Sequence, residues 1–165
     1  VNKVDKNSLD KAKTDFKLNQ KTLVNLKRKK SSEVDEIFHS KHTLEFKKMD
    51  CLTCANCCKT TSPIFREADI RRISKHLKVK ESKLISDLLR MDEEGDWVLK
   101  SSPCSFLNLD NTCSIYEFRP LACKEYPHTD RKNMSQILNL TVKNTLVCPV
   151  VSRIVSQISS SDKGK

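Results

Sequence analysis

Four cysteines fall within eight residues, Cys51-Leu52-Thr53-Cys54-Ala55-Asn56-Cys57-Cys58, in a chain of 165 residues with only two glycines. Residues three apart share a face of a helix or tight turn, so Cys51, Cys54 and either Cys57 or Cys58 can converge, while the adjacent pair must point differently. These four therefore cannot all aim at one ion. Cys104, Cys113, Cys123 and Cys148 follow, each near a proline (Pro103, Pro120 or Pro149) that fixes the local backbone and helps aim a side chain. Tetrahedral zinc takes four soft ligands at about 2.3 Å, and an iron–sulfur cluster also takes four cysteines, so eight thiols suffice for two such sites.

Plainer fates for a cysteine have to be weighed beside this one. A buried free thiol is common, and Cys148, isolated in sequence, suits that reading best of the eight. Disulfides demand an oxidising compartment, and the C-x2-C and C-C segments make awkward bridges. The lysine-rich start lacks the apolar middle of a signal peptide, and nowhere do 18 apolar residues run together, so the expected location is the cytoplasm, where thiols stay reduced unless a metal takes them. His39 and His42 stand three apart on a candidate helix, but neither neighbours a cysteine; an exposed polar face is the expectation for both. His76 is assigned to the surface as well, and His128 alone lies near the cysteine-rich region.

Net charge is +10. Residues 1–50 carry 13 basic and 8 acidic groups and residues 51–165 carry 18 and 13, an even excess that disfavours a dedicated nucleic-acid stripe. The Lys27–Lys30 knot reads as a solvated helix end, where cations offset the negative pole of the dipole. With two glycines there is no phosphate-cradling loop, and no Ser-His-Asp pattern or H-E-x-x-H helix is present. No catalytic motif is recognisable.

The expected fold is mostly α with a small β-hairpin: a compact, metal-stabilised cysteine-cluster domain over 50–158, a helical extension over 1–49 and a flexible tail over 159–165. Leu9, Ala12, Phe16, Asn19, Leu23 and Leu26 form one helical stripe, expected to pack on its own domain or on a protein partner. Ser32 and Asp35 resemble the cap of a second helix carrying Val34, Ile37 and Phe38. Ile70, Ile73 and Leu77, then Leu84, Ile85, Leu88 and Leu89, predict a helical hairpin. Gly95 marks a turn before a strand at Trp97–Leu99, and residues 105–107 and 114–116 flank an Asx-rich turn that suits a small hairpin. Val147, Val150, Val151, Ile154, Val155 and Ile158 predict a last helix, fading at Ser159.

Several linked motifs resemble the YkgJ-type cysteine-cluster proteins, described as a zinc- or iron-chelating domain. Cys51–Cys58 resembles the family's opening C-x2-C-x2-C-C, Cys104-Ser105-Phe106-Leu107 its C-x-F-L element, and Cys113-Ser114-Ile115-Tyr116-Glu117-Phe118-Arg119-Pro120-Leu121-Ala122-Cys123 its C-x-I-Y-E-x-R-P-x-x-C block, followed by Tyr126-Pro127. The resemblance covers about residues 50–150. Where that family usually has glycine inside the first cluster, Ala55 and Asn56 stand here, and Asn56 is the residue expected to tolerate a left-handed backbone. The resemblance implies chelation of zinc or iron, or of an iron–sulfur cluster, by Cys51, Cys54, Cys57, Cys58, Cys104, Cys113, Cys123 and Cys148. Other classes are an iron–sulfur-dependent enzyme or an accessory factor for protein modification, a related arrangement occurring in flagellin lysine methylases, and last a zinc-knuckle nucleic-acid binder. Partners implied are a metal ion and a protein docking on the N-terminal helices, with no membrane. Arg119 either supports a thiolate cluster or pairs with Glu117 or Glu125, and Tyr116 either donates to sulfur or packs.

Overall fold

The computed structural model describes residues 3–162, with side chains from 6 to 161. In chain order the helices are α1 (Lys3–Thr14), α2 (Phe16–Leu26), α3 (Ser31–Phe46), α4 (Cys51–Cys54), α5 (Asn56–Thr60), α6 (Glu67–Leu77) and α7 (Glu81–Leu88). Strands β1 (Leu89–Met91) and β2 (Trp97–Leu99) come next, then α8 (Leu121–Glu125), α9 (Leu138–Asn144) and α10 (Pro149–Asp162). Mostly α with a small hairpin is therefore the fold. No helix among the described residues is long and apolar enough to cross a membrane.

Packing divides the chain into two units, one built from residues 1–54 with 127–165 and the other, inserted between them in sequence, from 55–126. Segment 1–49 thus shares its unit with the C-terminal helix, and that unit also takes in the first cysteines.

In the first unit α10 packs against α1, α2 and α3. Leu23, Leu26, Val34, Phe38, Met134, Leu138, Val142, Val150, Val151, Ile154, Val155 and Ile158 form its core; sealing a side chain of this size from water contributes about 1.5–3 kcal/mol. The N-terminal stripe is buried as its spacing predicts, on its own chain. Between α1 and α2 the helix bends at Asp15 (φ −90°, ψ 11°), yet Asp15 N–H still donates to Lys11 and Asn19 N–H to Asp15, each at 2.8 Å. No side chain caps α3, whose first residue is Ser31. Asp35 instead receives the N–H groups of Asn133 (2.9 Å) and Met134 (2.8 Å), so the carboxylate expected to cap its own helix caps a turn about a hundred residues away. The expected fraying at Ser159 is also corrected: α10 runs on to Asp162, and Ser159 is buried with its hydroxyl on Thr22 at 3.1 Å. Residues 163–165 lie outside the described residues.

Glu45 is the most buried acid of this unit, 3% exposed, and is held by Arg153 (2.8 Å), Gln157 (2.9 Å) and Lys48 (3.1 Å). Burial acts to raise its pKa, but the three hydrogen bonds outweigh burial and lower it. A depressed carboxylate stabilises the fold above its unfolded pKa and loses that contribution as pH falls through the folded one. Glu45→Gln is expected to cost about 2–3 kcal/mol at neutral pH, because Arg153 is left facing an amide. Urea melts should show the gap between wild type and variant narrowing below about pH 4.

In the second unit the core is Phe65, Ile70, Ile73, Leu84, Leu89, Leu99, Phe106 and Ile115. Leu77, expected on the inner face of α6, is 37% exposed, since α6 ends there and Lys78 turns left-handed (φ 56°). The second helix stops at Leu88, and Leu89 opens β1, pairing antiparallel with Leu99. Gly95 at φ +83° and the Asp92 carboxylate, which accepts from the N–H groups of Glu94 and Asp96, form the turn. The hairpin thus sits one segment earlier than residues 105–116, where only a single bridge, Leu107 to Cys113, forms.

Candidate metal centre

None of the eight cysteines is in a disulfide. Five belong to the inserted unit. Cys57 and Cys58 sit on α5, with their sulfurs 4.0 Å apart. Cys104 is tied to that helix by its N–H, which donates to the Cys58 carbonyl at 2.8 Å, and the Ser102 hydroxyl donates to Lys59 O at 2.8 Å. Cys113 sits on the bridge to Leu107, and Cys123 lies in α8.

What aims Cys123 is a pair the sequence did not single out for this role. Asp69, 2% exposed, accepts from Arg72 (2.6 Å) and from the N–H of Leu121 (3.2 Å), while the Arg72 guanidinium donates to the carbonyls of Phe118 and Arg119 (2.9 Å to the latter). The first residue of α8 is thereby pinned to α6. Their spacing, an acid and an arginine three apart in an amphipathic helix, looks in sequence like an ordinary surface pair; burial separates it from one.

Electrostatics groups four of these thiols. Burial pushes Cys123 up to about 12, with Cys58, Cys104 and Cys113 adding to the rise and Arg119 opposing it. Cys104 is raised by burial and then by Cys58 and Cys113; Cys113 is raised by burial and by Cys58, against Arg119. Only Cys58 moves the other way, lowered to about 7 by the hydrogen bond from Cys57, against burial and with help from Lys59. Four mutually repelling sulfurs resist ionising together, and a divalent cation supplies the charge that lets their protons leave. The backbone N–H groups of Phe106 and Leu107 act to lower the Cys104 thiol and that of Ile115 the Cys113 thiol, the kind of donors that steady metal-bound thiolates.

Three thiols belong to the other unit: Cys51 and Cys54 at the ends of α4, and Cys148. Cys148 immediately precedes Pro149, the first residue of α10, where the missing N–H costs no hydrogen bond. Burial pushes the Cys148 thiol up to about 11, with Cys51 and Cys54 adding and the backbone N–H groups of Val151 and Val150 opposing. This thiol, the best candidate for an inert one, is thus grouped with two of the cluster. Among the described residues no three sulfurs all lie within 4.8 Å of one another, so closing either set on an ion takes side-chain rotation. The soft donors, their low hydration and the N–H groups fit zinc or iron.

Between the two cysteine pairs the left-handed residue is Ala55 (φ 47°, ψ 19°), not Asn56, which begins α5. An alanine there costs about 1 kcal/mol relative to glycine. Ala55→Gly is expected to raise stability by about 0.5–1 kcal/mol, read as a higher urea midpoint at unchanged slope.

Arg119 stacks on Tyr116 (3.9 Å from the ring centroid) and bonds its carbonyl, and its charge favours the thiolates of Cys113 and Cys123. The histidines line up otherwise. His42, expected in solvent, is partly buried, bonded to Thr129 at 2.8 Å and stacked on Phe46; His39 bonds the Arg131 carbonyl at 2.8 Å. With Ser31 and Asp35 they fasten one face of α3 to residues 129–135. His76 stacks on Phe118 (3.9 Å), and His128 adopts φ 67°.

Comparison with family models matches residues 50–148 to CxxCxxCC, described as "Putative zinc- or iron-chelating domain". Comparison with curated proteins and with solved structures gives no significant match.

Proposed function

The chain belongs to the CxxCxxCC family of zinc- or iron-chelating domains, and from that premise we propose that its thiols work as two sets. Cys58, Cys104, Cys113 and Cys123 hold one zinc or iron ion. Cys51, Cys54 and Cys148 grip a second, with its remaining coordination position filled from outside that trio, and Cys57 stands beside Cys58. The observation that carries the division is the packing of the chain: Cys58, Cys104, Cys113 and Cys123 lie in the inserted unit, with the Cys104 N–H on the Cys58 carbonyl, whereas Cys51, Cys54 and Cys148 lie in the other. When bound, such an ion supplies a cross-link among segments that the unit's own core is too small to lock. The chain's residues do the rest: Asp69 and Arg72 place α8, Arg119 offsets thiolate charge, and amide N–H groups fix sulfur lone pairs.

Chelation by thiolates also calls for a reducing location such as the cytoplasm, where thiols persist unless a metal takes them. Metal analysis and a visible spectrum of anaerobically purified protein test the reading. Two zinc or ferrous ions per chain with no sulfide are expected; brown absorbance with acid-labile sulfide assigns an iron–sulfur cluster instead. Metal-free protein with full secondary structure overturns both.

A further inference from the structure

Cut at residue 50, the sequence shares its excess charge evenly, but the fold gathers it. The unit built from 1–54 and 127–165 contains 19 basic against 10 acidic residues, and the inserted unit 12 against 11. Much of that excess lies on the outer side of α1 and α2. Leu9, Ala12, Asn19, Leu23 and Leu26 are buried, whereas Lys6, Lys13, Lys17 and Lys21 recur at steps of seven, four and four on the opposite side, with Arg28 two residues past the end of α2, all exposed. At 1.5 Å per residue this row is about 33 Å long.

The basic turn Lys27–Lys30 extends the row. Arg131 and Lys132, exposed, are brought to its end because Ser31 donates to Asn133 Oδ1 at 3.3 Å and Asn133 N–H donates to Asp35. Lys11, Lys13 and Lys29 have carboxylate partners, but among the described residues Lys17, Lys21, Lys27, Arg28 and Lys30 make no ion pair.

We infer that this face docks the phosphate backbone of a nucleic-acid duplex. Its length along the chain is about that of one duplex turn, roughly 34 Å, and its groups are lysines and an arginine at helical intervals along two successive helices joined at the Asp15 bend and the turn that follows. Other polyanions fit less well. The apolar side of α1 and α2 is committed to the core, leaving Val24, 48% exposed, as the one large apolar side chain on the outside of α2, so an anionic bilayer gains no insertion. The only aromatic residue of α1 and α2, Phe16, packs against the core, so single-stranded bases find no ring to stack on. Contacts of this kind read phosphate positions and not sequence.

Anisotropy of a labelled duplex of about 24 base pairs, titrated with metal-loaded full-length protein between about 50 and 200 mM salt, tests this. Expected is binding whose log–log salt slope is about −4 to −6. The triple variant K17E/K21E/R28E should bind at least about 30-fold more weakly and flatten the slope by about 3, as should K17Q/K21Q/R28Q to a smaller degree. The control K75E/K78E/K80E, the same charge change in the other unit, should shift affinity less than about threefold. Equal losses from both Glu triples reduce the effect to net charge and overturn the docking face. So do absence of binding at the lowest salt and tighter binding to phosphatidylserine vesicles than to the duplex.

Discussion

Replacing Cys123 with serine is expected to remove one metal ion per chain and to lower the melting temperature of the inserted unit by more than roughly 10 °C. Serine keeps the shape but offers a hydroxyl that stays protonated, so the four-thiolate set drops to three, and Cys104 and Cys113, raised by burial and by Cys58, reclaim protons. Apparent binding energies of structural zinc run to about 10 kcal/mol, comparable to the whole stability of a small domain. Elemental analysis beside a calorimetric scan reads both consequences. Cys54→Ser should instead cost the ion of the Cys51, Cys54 and Cys148 set and leave the Cys123 set loaded. If either variant keeps its full metal content, that cysteine is no ligand. If both lose both ions, the thiols do not act as two sets.

Deleting residues 1–46 is the second large perturbation, and here the two units should part company. Every cysteine lies at or beyond position 51, so the deletion removes no thiol. But α2 and α3 supply Leu23, Leu26, Val34 and Phe38 to the core that α10 completes, and α1 packs on α10 beside them. Without them Val150, Val151, Ile154 and Val155 face water, and α10 alone is too short to persist there. The trio containing Cys148 should therefore lose its ion, while the set on 58–123 keeps its own. Half-stoichiometric metal with strongly reduced helicity is the expected result; full stoichiometry shows that the helical unit is dispensable for chelation.

Much of this was legible because periodicity records burial. The spacing from Leu9 to Leu26 and from Val150 to Ile158 marked faces that are now inside. The hairpin was displaced because the Asx-rich segment 108–112 has strong turn chemistry: Asp110 and Asn108 spend their side chains on Thr112, closing a loop without extending a ladder. For the left-handed position, asparagine had the better propensity, yet the requirement fell on Ala55, one residue earlier. Pairing across long separations left no mark at all. Nothing near Asp35 announces Asn133, nothing near His42 announces Thr129, and Asp69 reads as a helix-start acid until Leu121 arrives. The grouping of thiols was hidden for the same reason, since the run from Cys51 to Cys58 looks like one motif but its members belong to different units.

That interruption sets an order of events during synthesis. The inserted unit is one unbroken stretch ending at Tyr126, so the four thiols proposed as its metal set are all present as soon as that stretch has left the ribosome. The other unit waits for α10, and at 5–20 residues per second the gap is about 2–8 s. During that interval α1, α2 and α3 hold an apolar side with no counterpart, and Cys51 and Cys54 lack Cys148. On the proposed two-set reading, the nascent chain can take metal at its first site while, for several seconds, the apolar side of its N-terminal helices stays open to solvent.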